Sequence, residues 1–227
     1  MTRSPRTIRL AAVAVLATAM LPLSGCLYSQ IPEQGTLAEP SAAPEETPSE
    51  DTPSDDTPTD GLPTTMTFAD GTTLSSTSYI QWGDGLIAAD GWQSVTPDNG
   101  NGSWTDGTVD GTCTAQFWQG YTSGLETVPG DDSVSSDALL GYVLGETAAT
   151  VTPLASTTQL SYQFGDNPAV DARQVYGEEP DGRTWTIVAR AFASAGSGVY
   201  VIIDCTGGDV DATFDDVNAH NSIMIMP

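Results

Sequence analysis

The side chains that could carry chemistry in this 227-residue chain are few: three cysteines, one histidine and no lysine. A serine or cysteine nucleophile needs a base to take its proton, most often histidine. The single histidine, His220, stands near the C-terminus between Asn218 and Asn221, and no G-x-S-x-G turn occurs. Zinc sites of histidine and cysteine are excluded by count. Carboxylates number thirty, and two of them suffice for glycosidase-type acid–base work, but their spacing singles out no pair. Calcium wants several oxygens. Asp209-Val210-Asp211 with Asp215-Asp216 gathers acids but lacks the glycine and closing glutamate of an EF-hand loop. Acids at a helix start are already accounted for by capping and the helix dipole. Asp98 to Gly102 misses at its third position. No catalytic residue, metal site or cofactor is therefore expected. Trp82, Trp92, Trp104, Trp118 and Trp185 have the rings to stack on sugars, but most are expected in core or sheet-face packing. Arg173 and Arg190 fall in strand-like stretches, and each is expected to meet an acid.

Cys26 belongs to a different kind of segment. Met1 to Leu10 carries Arg3, Arg6 and Arg9 and no acid, and Ala11 to Leu23 is a run of 13 mostly apolar residues. That is too short for a bilayer span, which needs roughly 20, and the combination reads as a secretory signal. Its end, Leu23-Ser24-Gly25-Cys26, resembles the bacterial lipobox: an aliphatic residue, two small residues, then cysteine. The resemblance implies a signal peptide over residues 1–25, cleavage before Cys26, and a diacylglycerol thioether on that thiol. Two or more acyl chains hold a protein firmly on a membrane. With Cys26 so used, Cys113 and Cys205 are an even pair in an exported domain and read as a disulfide. The bridge would close a loop of about 93 residues, for which chain entropy assigns at most roughly 4–5 kcal/mol.

Residues 26–62 read as the lipidated cysteine and a disordered tether. Leu27 to Leu62 holds six prolines and nine acids, and its few large apolar residues show no period. Such a segment cannot bury enough surface to offset its ordering entropy. Its T-P and S-P steps favour an extended spacer. Beyond the leader only Arg173, Arg183 and Arg190 oppose the thirty acids. Nucleic acid and anionic headgroups are therefore poor partners, because phosphate would be repelled.

Residues 63–227 read as one globular domain, of ordinary size for a real core. Short strands are expected at 64–69, 72–81, 86–89 and 92–96, with turn chemistry at 98–102. Strands at 103–105 and 112–121 suggest a hairpin around Asp106-Gly107. A helix follows, capped by Asp131 or Asp132 and closed by Gly145, with Val134, Ala138, Leu139, Tyr142 and Val143 on its apolar face. Strands are expected at 158–164, 170–176, 184–194 and 199–206, the last two apolar enough to be central and covered. A helix at 209–219 and a strand at 222–226 complete the chain. Strand runs interrupted by few helices imply an α+β fold: an antiparallel sheet with two helices packed on it and one disulfide. Element order, with Gly91-Trp92 and Phe117 to Gly120 (FWQG), resembles the PsbP-like fold of small actinobacterial lipoproteins of the LpqN/LpqT type, from about Trp92 to the end. The likeness implies a partner- or lipid-binding protein and no activity.

The combined expectation is a monomeric, non-catalytic lipoprotein on the extracytoplasmic face of the cell membrane. Its domain would bind an envelope protein or a small ligand. A carboxylate-dependent extracellular hydrolase and a structural envelope component are the competing classes.

Overall fold

The computed structural model describes residues 63–163 and 168–227. The expectations for the signal segment, for Cys26 and for the tether lie outside the described residues. Among those described, no helix is long and apolar enough to cross a membrane.

The chain enters through Met66, which makes a parallel bridge to Val170, and a single helical turn α1 (Phe68–Gly71) capped by Thr67. A short strand β1 (Tyr79–Trp82), a 3-10 turn (Leu86–Ala88), and strands β2 (Trp92–Thr96), β3 (Ser103–Thr108) and β4 (Cys113–Tyr121) follow. Helix α2 (Asp132–Leu144) and the one-turn α3 (Ala148–Val151) lead to four consecutive strands. These are β5 (Ser156–Ser161), β6 (Pro168–Glu178), β7 (Arg183–Phe192) and β8 (Ser197–Thr206). Helix α4 (Val210–His220) and strand β9 (Ile223–Met226) end the chain.

Seven strands form one antiparallel sheet in the order β2-β3-β4-β8-β7-β6-β5, while β1 and β9 pair separately. The β5–β8 meander thus returns to set β8 against β4. The fold is α+β, with helices on a mostly antiparallel sheet. Strands β7 and β8 sit mid-sheet and are buried over most of their length, as two-sided coverage requires. One face packs under β1, β9 and α4 around Phe117, Val201, Ile203 and Ile223; the other packs under α2 and α3 around Leu139, Leu140 and Ile187. Cys113 and Cys205 are direct cross-strand neighbours on β4 and β8, Cα atoms 4.1 Å apart, and are joined by a disulfide. The bond fixes the register of the two strands farthest apart in sequence among the sheet's neighbours.

Several local expectations are corrected. Residues 64–69 form a bridge and a helical turn rather than a strand, because Thr67 and Asp70 satisfy each other's end groups in a capping box. Only Tyr79–Trp82 of the 72–81 stretch is extended, and Leu86–Ala88 is a 3-10 turn. Asp106-Gly107 is not a turn. Strand β3 runs through both residues, paired with β2 on one side and β4 on the other. Helix α2 is capped by Asp131 and closed by Gly145 at φ 71°, as its sequence suggests. Its buried face differs: Val134 is 37% and Tyr142 67% exposed, whereas Asp132, Ser135, Ser136 and Asp137 are buried.

Candidate functional site

The residues singled out by type fall into structural roles. His220 directs Nδ1 to the Asp216 carbonyl and carboxylate of its own helix, at 2.9 and 3.2 Å, and is bonded to no hydroxyl nucleophile among the described residues. Asp209 caps α4 through the N–H groups of Asp211 and Ala212. Asp216 also accepts the Trp92 indole N–H at 2.7 Å. Among the described residues no three His, Cys, Asp or Glu side chains converge as a metal site. Arg173 pairs with Asp137 at 2.6 Å and Arg183 with Asp204 at 2.8 Å. Trp118 stacks on Tyr200 with ring centres 5.2 Å apart. The Trp185 ring lies over Gly177, where a Cβ would come within 2.2 Å of it.

Arg190 is the most deeply held charge. It is fully buried on β7 with its guanidinium 4.6 Å from the ring centres of both Phe68 and Phe192. It donates to Asp132 Oδ2 at 2.9 Å and to the carbonyls of Thr67 and Asp171. Asp132 Oδ1 takes the Ala193 N–H at 2.9 Å. Burial lowers the Arg190 pKa to about 10, so it stays charged at neutral pH, with Asp132 the main opposing influence. This cluster clamps the entering segment and the start of α2 to the end of β7. Its two terminal nitrogens are engaged, while the buried Arg190 Nε has no hydrogen-bond partner among the described residues.

A different arrangement occurs at the β2–β3 edge. Strand alternation puts Trp104 and Asp106 on the sheet face that also carries Phe117. Trp104 stacks on Phe117, ring centres 5.2 Å apart at 15°. Trp82 meets the same ring edge-on at 5.3 Å and 75°. Two bonds to β4 hold Trp82: its backbone N–H to Gln119 Oε1 at 2.8 Å and its indole N–H to the Trp118 carbonyl at 3.1 Å. The next turn is held by Asn221, fully buried after α4, whose Oδ1 accepts the N–H groups of Gly85 and Leu86 at 2.9 and 2.8 Å. Gly85 must lack a side chain there, since a Cβ would sit 2.1 Å from the His220 carbonyl oxygen. Opposite, Asp98 Oδ1 accepts three successive N–H groups, from Gly100, Asn101 and Gly102, and fixes the β2–β3 loop. A bulge in the β2–β3 pairing lies between Ser94 and Thr96, a device that re-aims side chains beside functional sites.

These elements enclose a cleft of about 260 Å³. Trp82, Asp84, Ile87, Pro97, Trp104 and Asp106 are among the residues that line it. Asp106 is only 1% exposed, yet its Oδ2 has no hydrogen-bond partner among the described residues, and neither has the buried Trp104 Nε1. Burial pushes the Asp106 carboxyl above its ordinary value of 3.8, and the Asp84 charge pushes the same way. The adjacent Trp104 indole N–H lowers it in part, although its geometry falls short of a hydrogen bond. A desolvated carboxyl beside an unsatisfied donor, in an aromatic-walled recess, marks a candidate functional site; Tyr162 Oη, Arg190 Nε and Asn221 Nδ2 are the other buried side-chain atoms without a partner among the described residues. Sequence reasoning missed Asp106 because Asp-Gly reads as a turn. The alternation Trp104, Asp106, Thr108 was the available signal.

No family model matches the chain, and no curated protein matches it. A crystal structure from Bacteroides thetaiotaomicron VPI-5482 is similar over 58% of this chain and 41% of that one, with 13% identity and a TM-score of 0.34. The chain thus matches less than half of that neighbour's length, and a likeness so slight carries no argument about fold or function.

Proposed function

We propose that the protein is a lipoprotein, anchored through Cys26 on the extracytoplasmic face of the cell membrane, whose domain binds a small ligand in the Asp106 cleft. The single observation that carries the binding reading is the buried Asp106 carboxylate, whose Oδ2 has no hydrogen-bond partner among the described residues. A fold can avoid the cost of an unsatisfied buried polar group, roughly 1–3 kcal/mol, by placing an apolar residue there. Retaining it favours a role in recognition. The disulfide supports an oxidising compartment, and the Leu23-Ser24-Gly25-Cys26 segment supports the anchor. A ligand that prefers the folded state raises the melting temperature. The test is a thermal-shift screen of the full chain against small metabolites, with Asp106→Asn as control. Stabilisation lost in the variant is the expected result; no stabilisation by any compound contradicts the reading. Intact mass of protein from its native membrane tests the anchor, with diacylglycerol on a chain beginning at Cys26 expected.

A second reading draws on the same geometry. A carboxyl whose pKa burial raises, near a second carboxylate, has the surroundings of a general acid paired with a base or nucleophile. Asp106 and Asp84 meet that description in kind. Turnover of a glycan panel abolished by Asp106→Asn would establish the hydrolase; binding without turnover would leave the binding module.

A further inference from the structure

Asn-Gly occurs twice in the chain, as Asn99-Gly100 and Asn101-Gly102, and both pairs stand in the loop between β2 and β3. Such a pair can modify itself. The glycine backbone nitrogen attacks the asparagine side-chain carbonyl carbon, since no Cβ shields it and the chain is free to take the conformation required. A bond forms between that nitrogen and Cγ, the Cγ–Nδ2 bond breaks, ammonia leaves, and the amide proton passes to solvent. Water then opens the cyclic imide at either carbonyl and leaves aspartate or isoaspartate. Water is the only co-reactant, and nothing is oxidised or reduced.

The fold treats the two pairs unequally. Asp98 Oδ1 accepts the N–H groups of Gly100 and Gly102 at 2.9 and 3.1 Å, so both attacking nitrogens are held on a carboxylate. The reaction requires that nitrogen to give up its proton. A neighbouring negative charge opposes the loss, and the charge-assisted bond must break as well. Asp98 therefore restrains both sites. Beyond that restraint Gly100 is unhindered. It and Asn99 are exposed, its φ is 95°, and nothing lies within 4 Å of the place a Cβ would take. The Asn99 side chain makes no hydrogen bond among the described residues. Gly102, by contrast, is anchored to β4. Its carbonyl accepts the Gln119 N–H at 2.9 Å, and a Cβ there would meet the Gln119 carbonyl oxygen at 2.2 Å. Asn101 Oδ1 accepts the N–H of Ser103, the first residue of β3, at 3.0 Å. Closing a ring at Asn101 pulls against two strands, whereas closing one at Asn99 disturbs only the loop.

We propose that Asn99 is a site of spontaneous deamidation in the folded protein, restrained by Asp98, and that Asn101 converts more slowly. The product bears on the neighbouring cleft. A carboxylate at position 99 adds negative charge next to Asp98, which lines that cleft, and isoaspartate lengthens the backbone of the loop that Asp98 fixes.

The experiment keeps the full chain in mildly alkaline buffer, folded or in urea, and samples it over time. Brief chymotryptic cleavage after Trp92 and Trp104 releases residues 93–104. Mass spectrometry measures the amide-to-acid conversion, and electron-transfer fragmentation assigns it to Asn99 or Asn101 and identifies isoaspartate. In the folded chain Asn99 should convert about 2- to 10-fold faster than Asn101, the range that one ordinary hydrogen bond is worth. In urea, where neither Asp98 nor Gln119 holds the loop, both residues should speed up and their rates converge. This comparison tests the restraint on the parent protein without any substitution. Asp98→Ala should speed Asn99 in the folded chain about 10-fold, the lower end for a hydrogen bond to a charged group. Conversion at Asn101 as fast as at Asn99 in the folded chain would overturn the assignment. So would an intact Asn99 in the folded chain once the urea sample has fully reacted. An Asp98→Ala chain that converts no faster than the parent would overturn the role given to Asp98.

Discussion

Asp132 and Asp106 are buried to the same degree, 0% and 1% exposed, and the protein treats them in opposite ways. Asp132 gives one oxygen to the Arg190 guanidinium and the other to the Ala193 N–H. Asp106 has an oxygen with no partner, beside an indole N–H with none and a second carboxylate that raises its pKa further. Burial disfavours ionisation of both, but only the first is compensated. The difference separates a charge that the fold pairs internally from one whose Oδ2 it leaves unpaired among the described residues. The Arg190 cluster joins the entering segment, α2 and β7, where a broken contact would loosen three elements. The Asp106 cleft lies at the β2–β3 edge, where β2 buries little besides Trp92.

The comparison is most strongly tested through the bond that underlies both regions. Replacing Cys113 and Cys205 by serine should lower stability by up to about 4–5 kcal/mol, read by urea denaturation, and should weaken both clusters together, since β4 carries Phe117 beneath the cleft and β8 neighbours β7. Arg190→Ala comes next. It leaves Asp132 buried and uncompensated, for which about 3–5 kcal/mol is expected. Pairing Arg190→Met with Asp132→Asn should recover a large part of that loss, since removing both charges removes the unpaired one. A recovery of nothing would mean that the bonds to the Thr67 and Asp171 carbonyls, not the ion pair, hold the cluster. Asp106→Asn should act in the opposite direction and stabilise the domain by about 1–3 kcal/mol at neutral pH, a rise of roughly 2–4 °C in Tm for each kcal/mol.

The two regions were also unequally legible in the sequence. Strands β7 and β8 announce themselves by largely apolar runs, that of β7 interrupted by Arg190, and α4 by Asp209 and its Val210, Phe214, Val217 face. The even cysteine pair and the acid partners of Arg173 and Arg190 could be expected from residue type alone. Which acids would serve could not, because Asp132 and Asp137 lie 58 and 36 positions from their arginines. For the same reason the buried face of α2 was placed only in part: Ala138, Leu139 and Val143 are buried as expected, while Val134 and Tyr142 are exposed. Ser136 is buried because its hydroxyl accepts the Ala191 N–H at 2.9 Å, a partner that helical periodicity does not reveal. Asp106 was hidden by its neighbour. Asp-Gly carries strong local turn preference, and what overrides it is pairing on both sides, with Ser94 on β2 and Ala115 on β4. Tertiary pairing outweighs a dipeptide preference worth only a fraction of the ladder it would break.

The central claim, that the Asp106 carboxylate is buried with its Oδ2 unpartnered among the described residues, has a direct thermodynamic signature. The folded-state pKa of Asp106 is raised above 3.8. Below that value both folded and unfolded chains are protonated there, and the residue imposes no penalty. As the pH rises past it, the unfolded chain ionises first, so stability is lost until the folded-state carboxyl has also titrated. The measurement is urea unfolding of the full chain and of Asp106→Asn between about pH 3 and pH 8. The account predicts that the variant's advantage is smallest at the acid end, grows as the pH rises above 3.8, and stops growing once the folded-state carboxyl has titrated. A variant less stable than the parent at neutral pH would contradict it, since Asp106 would then be a satisfied structural carboxylate like Asp132.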